Sequence, residues 1–133
     1  MTAYLLDTNH AASLVTPGHA LILRMQQQLA NGATFAICVP ILAEVLFGIG
    51  IAPRSEQNLQ SWTQWEHSLE CLVPDARDAR DAASLQISLR RRGRQLATVD
   101  ALIATIALRY DLVLLTTDKD FEAVPELRRE NWR

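Results

Sequence analysis

Short apolar runs alternate along this chain with longer stretches in which apolar residues recur every three or four positions. Ala3–Leu6 is apolar almost from the terminus and too short for a helix, so it predicts a buried strand. Thr8 or Asn9 is placed to cap a helix starting near His10, which Pro17-Gly18 ends. Leu21, Ile22, Met25 and Leu29 keep helical spacing across residues 19–30, and Asn31-Gly32 supplies the stop. Thr34–Val39 is rich in β-formers and predicts a second buried strand. Pro40 suits the first turn of a helix reaching about Gly48. Residues 54–69 read as a polar helix with Leu59, Trp62, Trp65 or Glu66, and Leu69 on neighbouring turns. Cys71–Val73 has the length of a short strand and leads into a helix from about Asp75 to Arg92. Thr98 is expected to cap a further helix running to Tyr110, the run LVLLT after Asp111 predicts another strand, and TTDKDF opens a last helical turn.

Strands alternating with helices predict a parallel sheet covered on both faces, an α/β fold built as a three-layer α/β/α sandwich. With 133 residues, no internal repeat and no linker, one domain over residues 1–133 is expected. No GxGxxG follows the first strand and no phosphate-binding GxxxxGK run occurs, which argues against a dinucleotide fold and a P-loop.

Composition narrows the classes further. Hydrophobic residues make up 49% and charged residues 21%, which excludes a disordered chain. The apolar stretch VPILAEVLFGIGIA is too short for a membrane span and contains Glu44. MTAYLLDTNH has no basic residue before its apolar run, so no secretory signal is expected and the cytoplasm is the expected compartment. Cys38 and Cys71 lie in apolar runs without a CxxC, and two buried, reduced thiols are expected. A net charge of −2 argues against bulk electrostatic capture of nucleic acid, yet twelve of the thirteen basic residues are Arg, the side chain suited to bidentate phosphate contacts.

The informative feature is where acids interrupt uncharged sequence. Asp7 is the only charged residue before Arg24, Glu44 the only one between Arg24 and Arg54, and Asp100 the only one between Arg94 and Arg109. An unpaired carboxylate in such apolar surroundings costs several kcal/mol or is forced to protonate, so three in one small domain suggest a shared partner. In right-handed βαβ units, strands end and helices begin on one edge of the sheet. Asp7 follows the first strand, Asp118 follows LVLLT, Asp100 lies in the first turn of its helix and Glu44 about one turn into another, so all four are expected at that edge. Four converging carboxylates repel one another, and a hard divalent cation resolves the repulsion. Oxygen-only ligands point to Mg²⁺, with Mn²⁺ as a substitute, and to metal-assisted phosphodiester hydrolysis by water.

The run LLDTN, the acid in PILAEVLFGI, the TVDALIATIAL helix and the closing LLTTDKDF together resemble the PIN domain. More narrowly, they resemble the VapC-type ribonuclease toxins of bacterial toxin–antitoxin operons, over nearly the whole chain from Leu5 to ENW. The resemblance implies an α/β/α nuclease fold, a Mg²⁺-dependent endoribonuclease, a homodimer and inhibition by a cognate antitoxin protein. It places Asp7, Glu44, Asp100 and Asp118 at the family's four acidic positions and Thr8, Asn9 and Thr116 at its small polar ones. Asp120 matches a second, more variable acid of the closing motif. PIN domains also serve other RNA- and DNA-processing roles, and the small, unadorned chain is what points to a toxin.

Competing readings of the same residues are concrete. A phosphoryl-accepting receiver needs a pair of acids after the first strand and an Asp after a middle strand, but Asp7 has no acidic neighbour and Pro40 follows Val39. A silent binding module has no need of four costly carboxylates. Arg90, Arg91, Arg92 and Arg94 are candidate RNA-phosphate contacts, an antitoxin-facing patch, or a solvated helix end that complements the dipole; Arg128, Arg129 and Arg133 share that ambiguity. Trp62, Trp65 and Trp132 are expected to pack or to belong to the dimer surface rather than stack on bases, and His10 is expected to be an ordinary surface or helix histidine.

Overall fold

β-Branched and apolar runs flanked by turn residues form strands where both faces can be covered, and three of the predicted runs do so here. The computed structural model describes residues 2–133. Its strands are β1 (Ala3–Leu6), β2 (Thr34–Cys38), β3 (Glu70–Leu72), β4 (Val113–Leu115) and β5 (Arg129–Glu130). Among the described residues they form one sheet in the order β3-β2-β1-β4-β5, with every neighbouring pair parallel. Leu5 sits opposite Ala36 on β2 and Leu114 on β4, and all three are buried, as expected of strands covered on both faces.

The helices are α1 (Thr8–Ala12), α2 (Ala20–Ala30), α3 (Val39–Ile51), α4 (Ser55–Glu66), α5 (Ala76–Arg91) and α6 (Thr98–Arg109), with 3₁₀ turns at Ser13–Val15 and Lys119–Ala123. The chain winds outward from β1 through β2 to β3, then returns across the sheet to β4 on the other side of β1. Right-handed crossovers therefore place α1–α4 on one face and α5 with α6 on the other. In agreement, α3 packs on α1 and α4, and α5 packs on α6. The result is the expected α/β/α sandwich. The reversal beside β1 creates a switch point, the place where open α/β sheets bind ligands.

The core explains the apolar character of α6, which buries Ala101, Ile103, Ala104, Thr105, Ile106 and Ala107. On the opposite face of the sheet, Tyr4 stacks on Phe35 at 5.1 Å and Trp132 meets both edge-on at 4.9 and 5.9 Å. The Arg24 guanidinium lies 4.2 Å above the Trp132 ring. None of the described helices is long and apolar enough to cross a membrane.

Several local expectations are corrected. Asp7, rather than Thr8 or Asn9, caps α1 by accepting from the Thr8 amide. Thr98 is the first residue of α6 and does not cap it; its hydroxyl accepts a hydrogen bond from Gln86 Nε2 at 3.2 Å and ties α5 to α6 instead. α3 continues to Ile51, past both Gly48 and Gly50. Cys38 is buried, but Cys71 is exposed because β3 is an edge strand with an open outer face; both are free thiols. Of the two alternatives for His10, the structure gives the helix one, on α1, with the side chain fully buried and not on the surface. β5 was not foreseen, since two exposed charged residues at a sheet edge carry no hydrophobic pattern.

Candidate active site

The ladder between β1 and β4 runs one step past β1, with the Asp7 amide donating to the Leu115 carbonyl at 2.9 Å. This holds Asp7 directly over the switch point. Its Oδ1 accepts from the Thr8 amide at 2.8 Å and its Oδ2 from the Thr116 hydroxyl at 2.7 Å. The same Thr116 oxygen accepts from the Asp118 amide at 3.0 Å, so one buried hydroxyl joins the ends of β1 and β4. Thr8 reaches the other way, donating its hydroxyl to Glu44 Oε2 at 2.7 Å and joining α1 to α3. Asp118 Oδ1 accepts from the Asp120 amide at 2.8 Å and opens the following 3₁₀ turn. Asn9 Nδ2 donates to the Thr117 hydroxyl at 3.0 Å. Thr117 was not singled out from the sequence; its only signal there is its place beside Thr116 in TTD.

The charges of these carboxylates act on one another. Burial, followed by the charges of Asp7, Asp118, Glu44 and Asp120, pushes Asp100 up to about 6, and no hydrogen-bond donor offsets the rise. Asp7 is also raised, chiefly by burial; the bonds from Thr116 and Thr8 oppose the rise, and the charges of Glu44 and Asp118 add to it. Asp7 just past β1, Glu44 on α3, Asp100 on α6 and Asp118 past β4 are thus neighbours at one edge of the sheet.

The donor set suits a hard divalent cation. Its oxygens are carboxylates and hydroxyls, with no thiol or imidazole among them, and burial first, then the charges of neighbouring acids, disfavours the ionised forms of Asp7 and Asp100. Among the described residues no group of three His, Cys, Asp or Glu side chains forms a ready-made cage. Mg²⁺ does not require one, since it keeps several waters and is commonly held by one or two carboxylates. Beside Glu44, a hollow of about 360 Å³ is lined by Thr8, Asn9, Val45, Ile49 and Asn58 among others, so the site continues into a partly apolar groove along α3.

A family model of the PIN domain matches residues 4–127. The chain belongs to the PIN-domain family. This PIN domain is similar to Ribonuclease VapC2 of Rickettsia felis, with 28% identity over 130 residues and 97% of each chain covered. It is similar to the tRNA(fMet)-specific endonuclease VapC of Shigella flexneri, with 26% identity over 133 residues and 99% of each covered. Among solved structures, the PIN domain superposes on a chain from VapBC2 of Rickettsia felis, bound to a DNA fragment from their promoter, with a TM-score of 0.86. The identity there is 27%, and 99% of this chain and 100% of that one are covered.

The remaining candidates separate by environment. Trp62 is buried and donates to Glu66 Oε1 at 2.8 Å, Trp132 is buried in the aromatic stack and Trp65 is half-buried, so packing accounts for them. Arg128 pairs with Asp111 at 2.7 Å, and Arg129 lies 4.0 Å from Glu122. Arg90, Arg91, Arg92 and Arg94 are exposed at the carboxyl end of α5 and just beyond it.

Proposed function

We propose that the chain, one PIN domain over residues 1–133, is the toxin of a toxin–antitoxin pair. In this reading it is a Mg²⁺-dependent endoribonuclease that hydrolyses RNA phosphodiester bonds and acts as a homodimer. The observation that supports the reading is Asp100 beside the switch point, raised first by burial and then by the charges of Asp7, Asp118, Glu44 and Asp120. Asp7, Glu44, Asp100 and Asp118 are the groups that would hold Mg²⁺, with Mn²⁺ able to replace it. Such a cation lowers the pKa of an attacking water and stabilises the leaving oxygen of the cleaved bond.

The protein's own part is to aim the carboxylates. Thr116 fixes one oxygen of Asp7 and also the Asp118 amide, so a single hydroxyl sets the spacing between two acids. Thr8 orients Glu44, and Asn9 braces the loop after β4 through Thr117. Asp120 adds negative charge beside Asp100 and orients Asp118 through its amide. The names of the relatives, a ribonuclease and a transfer-RNA endonuclease, support RNA as the substrate class. The similar chain solved within a VapBC complex supports a cognate antitoxin as partner.

The test is incubation of purified protein, freed of any co-purifying partner, with total RNA in Mg²⁺, Mn²⁺ or EDTA, alongside Asp100→Asn. Discrete fragments that require both the metal and Asp100 are expected. Intact RNA in every arm, with metal binding measured separately, would overturn the nuclease reading.

A further inference from the structure

The arginine run at the end of α5 is divided by a turn. Gly93, at φ 73°, takes the left-handed conformation that ends the helix. Its amide donates to the Arg90 carbonyl at 3.0 Å, and the Arg94 amide donates to the Leu89 carbonyl at 2.9 Å. This pair of bonds is a Schellman motif, which folds the chain back over the last helical turn. Arg94 is thereby returned to the side of Arg90. Both line a cleft of about 530 Å³ together with Gln86 and Gln95, whereas Arg91 and Arg92 do not. Gln86 is already committed, donating to the Leu96 carbonyl at 2.9 Å and to Thr98, and so it fixes the α5–α6 connection that carries the arginines.

Asp120 also lines this cleft, and its charge reaches Asp100. The cleft and the acid site are therefore neighbours. Arg24, Arg77, Arg109, Arg128 and Arg129 each lie within 4.0 Å of a carboxylate. Arg90 and Arg94 have no such partner among the described residues. An acidic site on a chain of net charge −2 repels a polyanion, so RNA needs a local positive surface to approach it. Unpaired guanidiniums at the border of the acids supply one, with a geometry matched to phosphate.

We propose that this cleft is a backbone subsite, in which Arg90 and Arg94 hold phosphates of the RNA strand adjacent to the bond that is cut. The proposal rests on the endoribonuclease reading and adds the strand's path away from the acids. No aromatic ring lines the cleft, so its contribution is to positioning rather than to reading bases by stacking.

Two double variants of equal net charge test it: Arg90→Gln with Arg94→Gln, and Arg91→Gln with Arg92→Gln. All four residues are exposed, so both proteins are expected to fold, which circular dichroism checks. Binding of a labelled, mixed-sequence single-stranded RNA is measured in EDTA across a range of salt, and cleavage of total RNA in Mg²⁺. For the first pair, affinity is expected to fall about tenfold and the slope of log K against log salt to flatten by about 1.4, two phosphate contacts' worth on a single strand. KM should rise with kcat and the cut positions kept, while the second pair stays close to wild type. Equal losses in the two pairs, or wild-type binding by the first, would overturn the subsite. Uncut total RNA with the wild-type protein would instead overturn the nuclease reading, and the EDTA binding arm would still decide whether the cleft holds RNA.

Discussion

Asp100 concentrates the chemistry of the site because burial disfavours its charge, four other carboxylates add to that, and no donor relieves it. A carboxyl group held at about 6 rather than 3.8 is one whose charge the fold disfavours. Replacing it with the isosteric amide removes that charge and keeps the shape. Asp100→Asn is therefore expected to abolish RNA cleavage while leaving metal-free stability unchanged or higher, as read by urea unfolding in EDTA. A clear loss of stability would mean that the repulsion is not what defines this position. The same residue links metal to pH. Millimolar Mg²⁺ is expected to raise Tm near neutral pH, because a ligand bound only by the native state stabilises it. The rise should shrink toward about pH 5, where protons compete with the cation for Asp100 and Asp7. A metal-induced shift of equal size at both pH values would remove Asp100 from the ligand set.

At the scale of elements, the sequence was readable wherever burial imposed a pattern. β1, β2 and β4 are covered on both faces and show as unbroken apolar runs, and α5 begins with an Asp75–Asp78 capping box that matches its expected start. The acids were readable for a related reason: Asp7, Glu44 and Asp100 stand alone in uncharged sequence, and Asp7 and Asp100 are half-buried as that predicts, whereas Glu44 lies on an exposed part of α3, where its isolation reflects no burial cost. What stayed hidden depends on three-dimensional pairing. The resemblance placed Thr116, which bridges two acids, but nothing in TTD pointed to Thr117 as the acceptor for Asn9, and nothing in RRRGR shows which arginines Gly93 returns toward the site. The C-terminal segment is the clearest case, since β5 is two charged residues long, yet it delivers Trp132 into the aromatic stack. There the indole meets Tyr4 and Phe35, lies under Arg24 and donates from Nε1 to Glu130 Oε1 at 2.9 Å. Trp132→Ala is expected to destabilise by about 3–5 kcal/mol, the usual cost of truncating a buried tryptophan. Trp132→Phe should cost clearly less, because it restores the ring contacts. Urea midpoints for the two variants decide this, and an alanine variant as stable as wild type would show that the terminal segment does not close the core.

For the molecule as a whole, buried His10 on α1 and half-buried Asp100 in the first turn of α6 make opposing demands as pH falls. His10 accepts a hydrogen bond from the Trp132 amide at its Nε2, and burial first, then the charges of Arg133 and His19, lowers it to about 4. The unfolded chain takes up that proton first, so stability present above about 6.5 is lost as pH falls toward about 4, by up to about 3 kcal/mol. Asp100 and Asp7 work the other way. Their native forms take up protons before the unfolded chain does, so acid relieves the repelling cluster between about 6 and 3.8. In EDTA the two effects oppose each other, and wild-type stability is expected to vary little across this window. His10→Gln keeps an acceptor for the Trp132 amide and removes the titration, so its stability should rise as pH falls. Asp100→Asn removes part of the opposing gain and should lose stability more steeply than wild type. Mg²⁺ should steepen the wild-type loss as well, because a cation that already neutralises the carboxylates leaves acid nothing to relieve. Urea unfolding of the three proteins at several pH values between 4 and 7 reads all of this directly, and parallel profiles would rule out both groups as the source of the pH dependence.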